Sequence, residues 1–171
     1  MNWEAIGAVG EIASAIGVIA SLIYLASQIR IQNSESQSRA ISDIGTKWNT
    51  ILGDLATNLE LARTWKIGIG DIEALDEIQL VIFFTHTSRV FKVFEGFHQQ
   101  WITKNLSDET WIGLDNGLID VCQYPGIRAW WGRRSHWYSE EFQAHIGVCM
   151  GANRSANLYG ELENQSVQND T

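Results

Sequence analysis

Hydrophobic and polar positions divide the chain into an apolar opening segment and a longer, amphipathic remainder. Residues 12–29, IASAIGVIASLIYLASQI, carry no charge, and the apolar run extends back to Ile6 with Glu11 as its one charged residue. A helix over residues 6–29 is roughly 36 Å long, which exceeds the roughly 30 Å of hydrocarbon in a bilayer. The pattern therefore predicts a transmembrane anchor over residues 1–30.

The charges that flank this anchor predict its orientation. No Lys or Arg precedes the span, whereas Arg30, Arg39 and Lys47 follow it. Basic residues stay on the cytoplasmic side, so we expect the N-terminus outside and the C-terminal domain in the cytoplasm. A buried core helix and a cleaved signal peptide are the alternatives, although Glu4 and the lack of a basic leader disfavour the second.

Small residues form a seam along the anchor, at spacings of 3, 4, 3 and 4: Gly7, Gly10, Ser14, Gly17 and Ser21. Such a seam lets helix backbones approach closely in lipid. It predicts a homo-oligomer, or packing on a partner's membrane helix. The alternative is that Gly and Ser are simply common in membrane helices.

The rest of the chain has the pattern of helices separated by short connections. Residues 31–40 form a polar stalk, residues 41–150 a helical domain, and residues 151–171 a disordered polar tail. Caps and apolar periodicity predict helices over residues 42–55, 59–66 and 75–103, one starting at Ser107, one over 127–133 and one capped by Ser139. The predicted fold is all-α: one N-terminal transmembrane helix followed by a small antiparallel bundle of about five helices.

Charge and cysteine content narrow the function classes. The net charge is −8, and residues 53–121 hold eleven acidic and five basic side chains. A nucleic-acid-binding protein needs a basic face, so no nucleic acid is expected as a partner. Cys122 and Cys149 fall on apolar helix faces and are expected to be buried free thiols.

Several segments together resemble a family of small bacterial proteins. They are MNWEAIGAVGEIASAIGVIASLIYLASQIR, NLELARTWKIG, SRVFKVFEGFHQQW followed by LSDETW, PGIRAWW and YSEEFQAH, and the similarity covers residues 2–146. Members of that family have one N-terminal membrane helix and a helical cytoplasmic domain, and are uncharacterised. The resemblance implies the anchor, its location in a bacterial inner membrane, and the all-α fold. It implies no activity, cofactor or catalytic residue.

Arginine and tryptophan alternate in residues 127–138, IRAWWGRRSHWY. This combination suits a docking surface for lipid headgroups or for a protein partner. The alternative is that the Trp rings pack in the core while the Arg side chains pair with the domain's own carboxylates. The candidate docking residues are Arg128, Trp130, Trp131, Arg133 and Arg134.

One candidate metal pair lies in the longest soluble helix. Glu95 and His98 are three residues apart and share a helix face, as ligands do in di-iron carboxylate bundles. Such sites need a second E-x-x-H and two further Glu, and only Glu60 and the Glu141/His145 pair are available as substitutes. His86 is expected to be a hydrogen-bonded core residue, and no pattern indicates a nucleophilic Ser or Cys.

The sequence therefore predicts a non-enzymatic protein without a cofactor. The favoured function is a membrane-tethered interaction or scaffold module, with the lipid bilayer and a second copy or another membrane protein as partners. A metal-dependent bundle enzyme using Glu95 and His98, or an accessory subunit of a larger membrane complex, are the alternatives.

Overall fold

The computed structural model describes residues 3–152, 154–156 and 159, with side chains for residue 11 and from residue 14 onward. This part of the chain is helical and holds no strand, so the all-α prediction is confirmed. The helices are α1 (Trp3–Thr57), α2 (Leu59–Gly70), α3 (Glu77–Ile102), α4 (Asp108–Cys122), α5 (Pro125–Arg134) and α6 (Glu140–Gly151). Short 3₁₀ turns cover Ile72–Ala74 and Ser135–Trp137.

The chain divides into two compact units, Met1–Ser42 and Asp43–Thr171. The first unit is the N-terminal part of α1, and the predicted polar stalk, residues 31–40, is helical within it. Within the described residues, α1 is the one helix long and apolar enough to cross a membrane, by length and composition. Polar residues of this stalk, such as Ser34 and Gln37, do not interrupt α1, because Gln has a good helix propensity and Ser a moderate one.

Side-chain caps explain where the helices of the second unit begin. Asn58, Ser107 and Ser139 each accept a hydrogen bond from the backbone three residues ahead, and these three caps are the ones that the sequence predicts. Asp76 adds a capping box, because the Gln79 side chain also accepts a hydrogen bond from the Asp76 backbone N–H. These interactions satisfy backbone N–H groups that the first turn of a helix leaves unpaired.

Aromatic side chains form the core of the second unit. Phe83, Phe91, Phe94 and Phe97 of α3 are fully buried, one helical turn or two apart. Helix α2 packs on α3 and α5, and α4 packs on α3 and α6. The apolar face of α3 therefore determines how the other helices assemble around it.

Helices α2 and α5 approach each other through two glycines. A Cβ atom on Gly126 would lie 1.7 Å from the carbonyl oxygen of Gly68, and one on Gly68 would lie 2.4 Å from the Phe83 ring. Pro125 precedes Gly126 in the first turn of α5. A backbone N–H at this position has no partner within the helix, so its absence in proline does not destabilise α5. The contact therefore requires glycine at position 126, whereas Gly68 leaves room for the Phe83 ring of α3.

The predicted disordered tail lies mostly outside the described residues. Two of its described residues contact the domain: the Arg154 guanidinium donates to the Asn116 side-chain oxygen at 3.0 Å, and the Tyr159 hydroxyl accepts a hydrogen bond from the Trp65 indole.

Candidate functional site

The most chemically distinctive cluster of the second unit lies between α4 and α6. Asp115 lies in the middle of α4, and His145 and Cys149 lie one turn apart on α6. Residues at i and i+4 share a helix face, so the packing of α6 on α4 brings both side chains to Asp115. Two helices thus supply a carboxylate, an imidazole and a thiol to one place.

The reactive atoms of the three side chains are close together. His145 Nε2 lies 2.7 Å from Asp115 Oδ1 and 3.5 Å from Cys149 Sγ. Cys149 Sγ lies 3.8 Å from the same carboxylate oxygen. The donor atoms therefore converge on one point between the two helices.

This arrangement differs from a nucleophilic triad. In a Cys-His-Asp triad, one ring nitrogen of the histidine takes the thiol proton, and the other donates to the orienting carboxylate. Here Nε2 of His145 faces both the Cys149 sulfur and the Asp115 oxygen. The geometry therefore suits shared hydrogen bonding or metal ligation rather than a proton relay through the ring.

The three groups alter one another's protonation. Hydrogen bonds to Cys149 and Asp115 raise the pKa of His145 to about 9, against the effect of burial. Hydrogen bonds from Cys122 and His145 lower the pKa of Cys149, whereas the hydrogen bond to Cys149 and burial raise the pKa of Cys122. These shifts favour the thiolate form of Cys149 and the protonated form of His145, whereas Cys122 stays a neutral thiol.

Aromatic rings form one wall of the cluster. The His98 ring stacks on the His145 ring with centroids 4.8 Å apart, and the Trp111 ring lies 5.4 Å from the same imidazole. Burial and the neighbouring His145 lower the pKa of His98, which keeps that ring neutral. The Asp115 and His145 side chains retain 22% and 18% of their exposure, so solvent reaches the cluster.

The predicted metal ligands Glu95 and His98 contact different partners in the structure. One Glu95 carboxylate oxygen accepts the Ser139 backbone N–H at 2.8 Å, and the other lies 2.7 Å from Lys92 Nζ. Burial raises the Glu95 pKa, but these hydrogen bonds outweigh it and the pKa is lowered. Among the described residues, the group able to hold a metal ion contains neither Glu95 nor His98. Glu95 positions the start of α6, and His98 instead contacts His145.

The structure buries part of the predicted docking surface. Trp130 and Trp131 pack against Phe91, with ring centroids 4.7 Å and 5.5 Å away, and neither indole is available to a partner. Arg128 donates to the backbone carbonyls of Cys122 and Met150. These contacts match the alternative interpretation, in which the Trp rings belong to the core.

The remaining arginines of that segment stay at the surface. Arg133 pairs with Glu73 at 2.8 Å, and the Arg134 guanidinium lies 4.5 Å from the centre of the half-exposed Trp137 ring. A partner could therefore reach two of the candidate docking residues, Arg133 and Arg134, together with Trp137 of the same segment.

The small-residue seam of the anchor falls partly outside the described side chains, since Gly7 and Gly10 precede them. Ser21 donates its hydroxyl to the Gly17 carbonyl at 2.8 Å within the helix, and no atom lies within 4 Å of the position that a Cβ on Gly17 would take. Self-association through this face stays a prediction.

His86 lines a separate cavity of about 330 Å³ in the second unit, beside Asp54 and Arg89, which form an ion pair. The His86 ring is buried, and its Nε2 has no hydrogen-bond partner among the described residues. Burial and the nearby Arg89 lower the His86 pKa, so the ring is neutral. The predicted hydrogen bond of this histidine is therefore missing at Nε2.

Comparison with protein-family models, curated proteins and solved structures finds no match. Function is therefore inferred from geometry alone. The sequence named His145 only as a substitute ligand beside Glu141. It predicted Cys149 as a buried free thiol, which is confirmed, but not as a neighbour of His145 and Asp115. The H-x-x-x-C spacing of α6 is the local signal that marks both residues, while Asp115 lies 30 residues before His145 and has no such signal.

Proposed function

We propose that this protein is a membrane-tethered helical module that acts by binding a partner at the cytoplasmic membrane. The observation that supports this proposal is the exposure of large apolar side chains along an uncharged stretch of α1. None of the described residues of its most apolar 18-residue window is buried. The exposed side chains are Ile16, Val18, Ile19, Leu22, Ile23, Leu25 and Ile29.

Helical geometry explains why lipid is the fitting solvent for this segment. Successive residues point about 100° apart, so Val18, Ile19, Leu22, Ile23 and Leu25 lie within an arc of about 160°, and all five are exposed. The rest of the circumference carries small or uncharged residues such as Gly17, Ala20 and Ser21, and no residue from 12 to 29 is charged. A helix that docks on a soluble protein by one face keeps a charged face opposite, which this segment lacks. At about 1.5–3 kcal/mol for each large apolar side chain removed from water, the seven residues favour the bilayer by on the order of 10 kcal/mol.

The basic residues that follow the segment support a cytoplasmic second unit. Arg39 and Lys47 form exposed ion pairs with Glu35 and Asp43. Acidic residues contribute little to topology, so these pairs do not cancel the retention of Arg and Lys on the cytoplasmic side. A reporter fused to the C-terminus is active in the cytoplasm under this proposal, and an active periplasmic reporter at that end contradicts it.

A matched pair of substitutions tests the tether. Ile23 and Ile78 are 66% and 67% exposed, and the first lies in the span whereas the second lies at the start of α3. An arginine near the centre of a span costs about 2.5–3.5 kcal/mol, which corresponds to roughly a hundredfold in partitioning. Ile23→Arg therefore reduces the carbonate-resistant membrane fraction of the full-length chain, while Ile78→Arg leaves it unchanged.

The outcome that contradicts the tether is also specific. If the wild-type protein stays in the supernatant when cells are lysed without detergent, the proposed membrane tether is wrong. Equal loss from the membrane in both variants shows that folding, rather than lipid insertion, was disturbed.

Purification in mild detergent identifies the kind of partner. A homo-oligomer gives one polypeptide in stoichiometric multiples, whereas an accessory subunit brings a second membrane protein with it. The exposed surface of Arg133, Arg134 and Trp137 is the part of the second unit that we assign to this contact. A stable monomer that copurifies with no other protein argues against an interaction module.

A further inference from the structure

We propose that Asp115, His145 and Cys149 bind one zinc ion, with a solvent molecule in the fourth coordination position. The carboxylate oxygen, the imidazole Nε2 and the sulfur all lie within 4.8 Å of one another. The site belongs wholly to the second unit and does not depend on the membrane tether.

The distances between the donor atoms fit one tetrahedral ion. Zinc bonds of about 2.0–2.1 Å to nitrogen and oxygen and about 2.3 Å to sulfur place nitrogen and sulfur roughly 3.5 Å apart across a tetrahedral angle, and nitrogen and oxygen roughly 3.3 Å apart. The Sγ–Nε2 distance is 3.5 Å and the Sγ–Oδ1 distance is 3.8 Å. Only the His145–Asp115 distance of 2.7 Å is too short for ligation.

That short distance is set by a hydrogen bond, which the ion replaces. A metal ligand must give up its proton, so the proton between Nε2 and Oδ1 leaves when the ion binds. The two atoms then separate by about 0.6 Å to reach the tetrahedral spacing. A small rotation of the partly exposed Asp115 carboxylate supplies this movement without a shift of either helix.

The set of donor atoms identifies the class of ion. Magnesium and calcium prefer oxygen ligands throughout, which excludes them from a site with a thiolate and an imidazole. Zinc accepts nitrogen, oxygen and sulfur together, and needs no redox partner. Three protein ligands with an open fourth position are typical of zinc sites that bind a further molecule.

Contacts around the cluster hold the ligands in place before an ion binds. Gln123 at the end of α4 donates to the Cys149 carbonyl at 2.8 Å, and Arg128 donates to the Met150 carbonyl at 2.7 Å. The first bond fixes the last turn of α6 against the end of α4, and the second fixes it against α5. The stacked His98 ring fixes the plane of the His145 imidazole. Such supporting contacts orient metal ligands and commonly change metal affinity by about 10–100-fold.

Cys122 lies next to the site but does not belong to the ligand group. It is seven residues after Asp115 on α4, fully buried, and hydrogen-bonded to Cys149. Its sulfur is not among the atoms that lie within 4.8 Å of one another. Cys122 is therefore a supporting thiol, and it provides a matched control for Cys149.

Cobalt binding to the full-length, reduced protein in mild detergent tests the proposal. Co²⁺ reports a thiolate ligand by an intense charge-transfer absorption, and Zn²⁺ displaces it. We expect one equivalent of Co²⁺ with this absorption, which Cys149→Ala abolishes and Cys122→Ala retains. Asp115→Asn and His145→Gln weaken the binding of Zn²⁺ at least tenfold.

A second measurement needs no variant. Cys149 is buried, so its alkylation is slow and is compared between metal-free and Zn²⁺-loaded wild-type protein. We expect Zn²⁺ to slow this alkylation further, which mass spectrometry of the labelled peptide measures over time. A cobalt spectrum without the thiolate absorption, a Cys149→Ala variant that binds as tightly as wild type, or a Cys149 alkylation rate that saturating Zn²⁺ leaves unchanged overturns the proposal.

Discussion

The contact between Gly68 and Gly126 gives a sharp prediction about the stability of the second unit. A methyl group on Gly126 would place its Cβ 1.7 Å from a backbone oxygen of α2, and no side-chain rotation relieves a clash with backbone. Helices α2 and α5 must then separate, which disturbs the buried Ile69 and Ile127 beside the contact. Overpacking alone costs about 1–3 kcal/mol. We therefore expect Gly126→Ala to lower the free energy of unfolding by about 3 kcal/mol.

Two further glycines serve as comparisons. At Gly68 the new Cβ meets the Phe83 ring at 2.4 Å, and a side chain shifts more easily than backbone, so Gly68→Ala destabilises less. Gly132 lies in the same helix as Gly126, is exposed, and has no atom within 4 Å of the position that a new methyl group would take. There Ala removes backbone entropy from the unfolded chain, so Gly132→Ala stabilises by about 0.5–1 kcal/mol.

Tryptophan fluorescence is the suitable assay. Seven of the eight Trp residues follow Asp43, so fluorescence follows unfolding of the second unit while detergent keeps the anchor helical. For a chain of this size 1 kcal/mol corresponds to about 2–4 °C in Tm, so Gly126→Ala lowers Tm by about 6–12 °C. A Gly126→Ala protein that unfolds at the same temperature as Gly132→Ala would refute the close approach of α2 and α5.

Three other predictions follow from individual side chains. In reduced, metal-free protein we expect the His145 imidazole to titrate at about pH 9. The stability that its protonation contributes is therefore complete below about pH 6.5 and is lost as the pH rises through 9. NMR titration measures the midpoint, which Asp115→Asn moves down. Trp130→Ala lowers the free energy of unfolding by about 3–5 kcal/mol because the ring is fully buried, whereas Trp137→Ala, at a residue that is 50% exposed, lowers it by less than about 1 kcal/mol. Equal losses in the same denaturation assay contradict the assigned burial. Gly17→Leu reduces crosslinking between copies in membranes if the small-residue seam carries self-association, and unchanged crosslinking counts against that face.

Much of the helical order could be predicted from the sequence, because its causes lie within one or two turns. The caps at Asn58, Ser107 and Ser139 each bond to a backbone N–H three residues away, so the residue type and its position are enough. The apolar run over residues 12–29 is likewise a property of consecutive residues. Such local signals indicate where a helix starts and whether its surface favours lipid or water.

Periodicity could not decide which tryptophans are buried. Residues 127–138 carry Trp and Arg in a pattern that fits both a core and a docking surface, since both side chains have an apolar body and a polar end. The packing of α5 near Phe91 buries Trp130 and Trp131 and leaves Trp137 exposed. That difference depends on the neighbouring helix rather than on residues 127–138 themselves.

The sequence by itself determined the all-helical chain and its apolar opening segment. Only the tertiary structure decided which polar side chains meet. The Glu95 carboxylate bonds to the Ser139 backbone N–H and to Lys92, and the packing of α6 on α4 brings Asp115 to His145 and Cys149. The physical reason is range: a cap or an apolar stripe is set by bonds within one helix, whereas a ligand set depends on the register between two helices, to which many side chains contribute.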